Sequence, residues 1–284
     1  MTVISLTSDW NKHDYYVGML KGRIIRLVPE ATLVDISHDI QAFHSLQGAF
    51  VLRQAITEFP QGSIHLFLVN QGRTSDVNPV IYKYRGQFII AWSDPVLGLL
   101  FDEDPEIYFQ VTPEIFTTIA SHSSSSKDVN GFSPSFPEMA LFPRIIRWLI
   151  DATDEELNKY ESIPVEQSPW QPVIQEGAIT GRVIFVDSYK NAISNITRSL
   201  FDEVQHGSRF EIFVKSNHYR IDKLSQSYSD AEPGDLIALF NSVGFLEIAM
   251  VQGQVGELLS LEQGSTIKIK FYDKGRQAGD IRGV

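Results

Sequence analysis

Cysteine is absent from this 284-residue chain. Disulfides, thiolate metal sites and cysteine nucleophiles are excluded together. Long apolar runs are absent too: none approaches the ~18 residues that a membrane-spanning helix needs. The first residues show no basic segment followed by an apolar signal core. A cytoplasmic protein with no membrane partner is therefore expected. Positive charge is scarce, with 24 Lys and Arg against 35 Asp and Glu and a net charge of -11. Nucleic acid is not an expected partner, because its binding is driven by Lys and Arg neutralising phosphates. Several catalytic signatures are missing: GxGxxG after the first strand, GxxxxGK[ST], HExxH and GxSxG. The seven histidines are scattered. His38 and His44 come nearest to a pair, but no third ligand is indicated, so no metal is expected.

What is present is an ordinary globular composition, 43% hydrophobic and 21% charged, long enough for two domains. The stretch Ile4–Gly22 organises the rest. Its apolar start, Val3–Leu6, reads as a buried strand, Thr7–Asp14 as a polar loop, and Tyr15–Val28 as an amphipathic helix with Val17, Leu20, Ile24 and Leu27 on one face. Asp9 sits at the strand end, where α/β sheets collect ligands. Its residue type fits a loop acid or helix N-cap. It also fits a carboxylate gripping a vicinal diol such as a ribose, because an ionised Asp offers two acceptor oxygens. The stretch alone leaves both readings open.

Further strands are expected at Thr32–Ile36 and Ser63–Val69, with a helix over His44–Thr57 between them. A hairpin follows, Val80–Tyr84 and Gln87–Ala91 around Arg85-Gly86. Two strand–helix–strand units predict an α/β domain over residues 1–162, its mostly parallel sheet sandwiched by helices. Ser121–Pro137 reads as a surface loop, Pro137–Ile150 as a helix, and Thr153-x-x-Glu156 as a capping box. Residues 163–176, rich in proline, read as a linker. Beyond it, Ala178–Val186, Phe210–Val214, Asp235–Phe240, Phe245–Met250 and Thr266–Phe271 read as short strands separated by glycines. No helix longer than about two turns is expected there apart from Gln254–Leu261. The second domain, 177–273, is therefore expected to be an all-β small barrel, followed by a frayed polar tail, 274–284.

Five motifs in order, across both domains, resemble one family: the S-adenosylmethionine hydroxide adenosyltransferases, relatives of the fluorinases and chlorinases. Ser8–Gly22 (SDWNKHDYYVGMLKG) matches the family's T-D-F-G-x-x-D-x-Y-V-G-x-x-K-G. Asp35-Ile36-Ser37-His38 matches D-I-x-H, and Phe59–His65 matches F-P-x-G-x-x-H. Val186–Ile196 is similar to V-D-x-F-G-N-x-x-T-N-I, and Asn241–Ala249 to N-S-x-G-Y-L-E-I-A. The resemblance implies S-adenosylmethionine as substrate or ligand and a homotrimer with sites between subunits. It implies that Asp9 holds the ribose hydroxyls. Asp187, Asn191, Ser242 and Glu247 fall in the binding motifs, and Tyr189 and Phe43 would form aromatic walls. Such groups suit the ligand: carboxylates for a diol and an ammonium, amides for an adenine edge, aromatic faces for a base or sulfonium.

The sequence departs from the family where water is activated for attack at the ribose C5′ carbon. The family draws an Asp and an Arg from V-D-P-G-V-G-x-x-R-R-P; here Asn70 and Val77 stand at those positions. The family's His falls on Lys127. An amide has lost the carboxylate's charge, and valine donates no hydrogen bond. Arg73, Asp76, Lys127 and Asp128, with His122, are candidates to rebuild a water-orienting set. The short Tyr84–Gln87 connection leaves no room for the halogenases' extra loop, so halogenation is not expected. Three readings stay open at this point: an enzyme cleaving S-adenosylmethionine to adenosine and methionine, a non-catalytic binder of that molecule or of adenosine, and a trimeric structural protein with a vestigial pocket.

Overall fold

The computed structural model describes residues 2–69, 77–122, 136–160, 171–175, 177–216 and 218–272, apart from the side chains of Ala120 and His122. The chain forms two units, Met1–Pro169 and Trp170–Val284.

The first unit begins β1 (Val3–Ser8), α1 (Tyr15–Leu27), β2 (Thr32–Ser37), α2 (Ser45–Ile56), β3 (Ile64–Leu68). A hairpin of β4 (Pro79–Tyr84) and β5 (Gln87–Trp92) follows, turning on Arg85 and Gly86, both at positive φ. Next come a 3-10 turn (Pro95–Leu100), β6 (Ile107–Gln110), α3 (Pro113–His122), α4 (Glu138–Asp151) and α5 (Asp154–Leu157). The expected capping box is formed in full at α5: Thr153 accepts from the Glu156 amide, and Glu156 reaches back to the Thr153 amide. The turn 95–100, β6 and α3 fall in a stretch to which the sequence reading gave no element. Alternation there is too short to register, and Pro113 at the first helical position is the signal that was available.

Among the described residues the sheet order is β2-β1-β3-β5-β4-β6. The first four strands run parallel and β4 is antiparallel to both neighbours, giving the expected mostly parallel α/β sheet. From β1 the chain steps out to β2, then returns past β1 to β3. The sheet therefore switches direction at β1, and a crevice opens at the carboxyl ends of strands where that happens. One face packs Ile4, Leu6, Ile64 and Leu66 against Val17, Leu20 and Ile24 of α1 and Phe142, Ile145 and Ile146 of α4. On the other side α2 approaches so closely that a Cβ on Gly48 would sit 2.7 Å from Val69 Cγ2 and 2.9 Å from Phe67 Cε2.

The second unit contains β7 (Val173–Gln175), β8 (Ala178–Val186), β9 (Ala192–Thr197), α6 (Arg198–Gln205), β10 (Arg209–Val214) and β11 (Arg220–Ile221). It continues with a 3-10 turn (Tyr228–Asp230), β12 (Leu236–Phe240), β13 (Phe245–Met250), α7 (Val255–Leu258) and β14 (Thr266–Tyr272). The strands are joined as β11-β10-β14-β8-β9-β13-β12, with β7 on β8, all antiparallel. The result is the expected all-β module, a nearly closed barrel filled by Ile179, Val183, Ile196, Phe201, Ile212, Leu246 and Ile269.

Four expectations need correction. Part of the stretch read as linker, 173–175, is a strand, because its backbone pairs with 178–180. Ala192–Thr197 is a strand that the polar Ser194 and Asn195 had hidden; Ser194 bonds the Leu246 carbonyl and Asn195 bonds the Arg182 amide. Eight residues from Arg198 form a helix, capped by Thr197 accepting from the Leu200 amide, where none was read. The helix read over Gln254–Leu261 is only the single turn Val255–Leu258. No helix among the described residues is long and apolar enough to cross a membrane.

Candidate functional site

The carboxyl end of β1 carries a cluster of polar side chains. Asp9 is half-buried, and its Oδ2 accepts the Phe43 backbone N–H at 2.9 Å. It is not the N-cap of α1; that position is Asp14. Phe43 has φ +66, a conformation costly for a residue with a Cβ, and its ring stays exposed beside the Asp9 contact.

Beneath Asp9 lies a polar chain that runs from buried Ser8 and His38 out to the exposed Asp35 and partly buried Lys21. Ser8 Oγ is 2.7 Å from His38 Nδ1. His38 Nε2 lies 3.1 Å from Asp35 Oδ1, so this edge of the ring faces the carboxylate across a short, imperfectly aligned contact. Asp35 Oδ2 accepts from Lys21 Nζ at 2.6 Å. Burial alone would raise the Asp35 pKa, but the Lys21 hydrogen bond and the facing His38 ring outweigh it and hold the carboxyl below its ordinary range. Asp35 and His38 are three residues apart, and regular strand alternation would send them to opposite faces. A register slip between Leu6 and Thr7 on β1 pairs Leu6 with Asp35 but Thr7 with Ser37, so Ile36 is the extra residue of a bulge. The slip returns His38 to the Asp35 face.

Serine, histidine and carboxylate stand here in the order of a nucleophile, its base and an orienting acid. Ser8 is fully buried, however, and its Oγ is engaged by the Trp10 amide at 3.3 Å. No substrate atom reaches it, so the group is a brace.

A second buried histidine lies within the sheet. His65 Nδ1 is 2.6 Å from Ser5 Oγ, and Nε2 is 2.7 Å from Gln87 Oε1. Gln87 passes the chain to the Phe59 carbonyl. Burial pulls the His65 pKa down to about 4, with the Gln87 bond opposing, so the ring is neutral near pH 7. At the carboxyl end of β5, Asp94 caps the 3-10 turn through the Val96 amide at 2.9 Å. Burial raises its pKa against hydrogen bonds from Val96 and Ser45.

In the second unit the β8–β9 connection holds Asp187, Tyr189 and Asn191 in one tight turn. Asp187 Oδ1 accepts the Asn191 amide at 2.8 Å and Oδ2 accepts Asn191 Nδ2 at 3.2 Å. Lys190 takes the positive φ that the turn requires, and Tyr189 projects into solvent at 75% exposure. The β12–β13 turn is shaped by Asn241, whose Oδ1 accepts the Val243 and Phe245 amides, leaving Ser242 exposed. Glu247 is buried, 3% exposed, and takes bonds from the Tyr228 hydroxyl and Asn241 Nδ2. Burial raises the Glu247 pKa, and nearby Asp187 raises it further. Burial and the bond to Glu247 also push the Tyr228 hydroxyl far up. Antiparallel pairing of β9 with β13 sets Ile193 opposite Glu247 and so draws the two turns together.

The structure thus groups Asp9 with Phe43, and Asp187 with Asn191 and Glu247; Tyr189 and Ser242 sit exposed at the same turns. Val77, half-buried, lies just before β4. Asn70, Arg73, Asp76, Lys127 and Asp128 lie outside the described residues, as do the side chain of His122 and the rest of the Ser121–Gly131 loop after it. Sequence reasoning gave no role to Lys21, Asp35, His38, Asp94, Tyr228 or Asn241. The D-I-x-H spacing was the available signal for two of them; for Tyr228 there was none. Among the described residues no three His, Asp or Glu side chains are grouped as a metal site.

Comparison with known proteins agrees with this architecture. The model of the SAM hydroxide adenosyltransferase N-terminal domain matches residues 4–138, and that of the C-terminal domain matches residues 181–268. An (R)-S-adenosyl-L-methionine hydrolase of Methanocaldococcus jannaschii is 27% identical, over 95% of this chain and 97% of its own length. A fluorinase of Actinopolyspora mzabensis is 23% identical over 94% and 96%. A solved structure of a conserved protein from Thermotoga maritima shares the fold, with TM-score 0.74 and 23% identity over 95% of this chain and all of that one. The matches run through both units, in order and over well over half of the chain, so this protein belongs to the SAM hydroxide adenosyltransferase family.

Proposed function

We propose that this protein binds S-adenosylmethionine and is a hydroxide adenosyltransferase of divergent active site, converting S-adenosylmethionine and water to adenosine and methionine. The observation that carries the reading is Asp9, a carboxylate at the switch point of a family-type sheet, held by the Phe43 amide where a ribose diol would be gripped. In the reaction, water attacks C5′, the C5′–sulfonium bond breaks, and its electron pair leaves with methionine; the water proton passes to solvent or a basic side chain. Asp9 holds the ribose, and Phe43 and Tyr189 offer aromatic faces. Asp187 and Asn191 present a carboxylate and an amide to the ammonium and the nucleoside. Glu247, bonded to Tyr228 and Asn241, orders the turn that carries Ser242. A homotrimer with sites shared between subunits belongs to the same proposal, and sedimentation of the purified protein measures it.

A second reading, a binder without turnover, is favoured by one observation: Asn70 and Val77 stand where the family's Asp and Arg are expected. General acid–base help contributes roughly 10²–10⁴-fold to rate, so its loss leaves binding without useful turnover. Arg73, Asp76, Lys127 and Asp128 are the residues proposed to replace it.

The test is a long incubation of protein with S-adenosylmethionine, with the products separated and weighed by mass spectrometry. Adenosine and methionine forming in equal amounts, in proportion to protein and above the spontaneous rate, are expected. If the cofactor binds but is recovered intact, the second reading replaces the first. If it does not bind, both fall.

A further inference from the structure

We infer that His38 is a positioning residue for Asp9, acting through Ser8, so that the Lys21–Asp35–His38–Ser8 chain fixes the carboxylate that grips the ribose diol. The inference rests on the reading of Asp9 just proposed.

The argument begins with proton placement. His38 Nε2 faces the Asp35 carboxylate, 3.1 Å away, so Nε2 carries the hydrogen and Nδ1 is left as an acceptor. Ser8 Oγ, 2.7 Å from Nδ1, therefore donates to it. With its proton committed, the Ser8 oxygen is aimed to accept the Trp10 amide at 3.3 Å. That last bond runs from residue 8 to the amide of residue 10 and closes a short turn around Asp9. The backbone of Asp9 is thus clamped on both sides by one hydroxyl, whose rotor is set by His38.

The brace itself is anchored. Lys21 on α1 holds Asp35 at 2.6 Å. The bulge in β2 places Asp35 and His38 on one face. Ser8 and His38 are both buried, Ser8 completely, so water cannot substitute easily for a lost partner. With the Phe43 amide bonded to its Oδ2, the Asp9 side chain is held as well as its backbone. Such preorganisation matters for a diol, because both hydroxyls must meet the carboxylate at once; a rotor left free would lose that bidentate geometry.

The test uses the full chain and two probes, adenosine and 2′,3′-dideoxyadenosine, titrated calorimetrically. The wild type is expected to prefer adenosine by on the order of 10- to 100-fold, the effect of hydrogen bonds to a charged acceptor. His38→Ala should bring the two affinities to near parity while leaving that for dideoxyadenosine in place. A merely structural role would lower both affinities alike. His38→Asn, which keeps an acceptor near the Nδ1 position, should restore part of the preference. Ser8→Ala, a smaller change, should lose the preference as His38→Ala does and serves if His38→Ala fails to fold. If the wild type discriminates and His38→Ala or Ser8→Ala discriminates equally, the inference is overturned while the Asp9 reading stands. If the wild type shows no preference for the diol, both are overturned.

Discussion

Lowering pH should destabilise the first unit through His65 in particular. Its ring is enclosed by Ser5, Gln87 and the edge of Phe59, and burial depresses its pKa from an ordinary 6.5 to about 4. The folded state therefore binds fewer protons than the unfolded state between those values, and stability rises with pH across that window. The contribution is complete above about pH 6.5. It shrinks as pH falls and is gone below about pH 4, a loss on the order of 3 kcal/mol at about 1.4 kcal/mol per pH unit. Other groups titrate in the same window, so the wild type is to be compared with His65→Asn, which keeps a polar contact for Ser5 but cannot be protonated. Urea unfolding followed by tryptophan fluorescence suits the purpose, since Trp10, Trp92 and Trp148 all belong to the core of the first unit. At pH 7 the variant should be less stable by about 1–3 kcal/mol, because Gln87 loses a buried partner. Between pH 6.5 and 4 the two stability curves should converge as the wild type alone gives up its histidine contribution. Parallel curves across that range would refute the reasoning, as would a His65 ring signal titrating near 6.5.

Two further outcomes follow from packing in the second unit. Gly181→Ala would place a Cβ 2.5 Å from both Asn195 Oδ1 and Ile196 Cγ1, which a well-packed β8–β9 pair accommodates only by moving. A loss of about 1–3 kcal/mol is expected, measured as a lower urea midpoint in the NMR amide signals of the barrel strands. Tyr228→Phe removes the hydroxyl that donates to buried Glu247; a loss of about 1–3 kcal/mol is expected at neutral pH, measured by the same unfolding. The Glu247 pKa, already raised by burial and Asp187, should rise further in that variant. A raised carboxyl binds protons more tightly when folded, so the variant should regain stability as pH is lowered toward the ordinary carboxylate range.

The two structural classes and many of the strands were legible in the sequence because they depend on local pattern. Strands such as Ile64–Leu68 and Phe245–Met250 are apolar enough to read alone, and the Arg85-Gly86 turn and the Thr153–Glu156 box carry their own chemistry. Asp9 was legible as a strand-end acid, and the family motifs located Asp187, Asn191 and Ser242. Ala192–Thr197 was not legible: Ser194 and Asn195 look solvent-facing until the Leu246 carbonyl and Arg182 amide are brought to them.

Tertiary structure decided the remainder. Asp9 stands at the carboxyl end of the switch-point strand because of strand order: β1 became the switch point only when β2 and β3 took opposite sides of it. Asp35 and His38 belong together because one residue slips between β1 and β2, and register is a property of two strands. Glu247 met Tyr228 and felt the charge of Asp187 because the barrel brought distant turns into one low-dielectric place. Periodicity along a chain sets which way each side chain can point. What it meets there, and how its charge responds, is fixed only when another segment excludes the water.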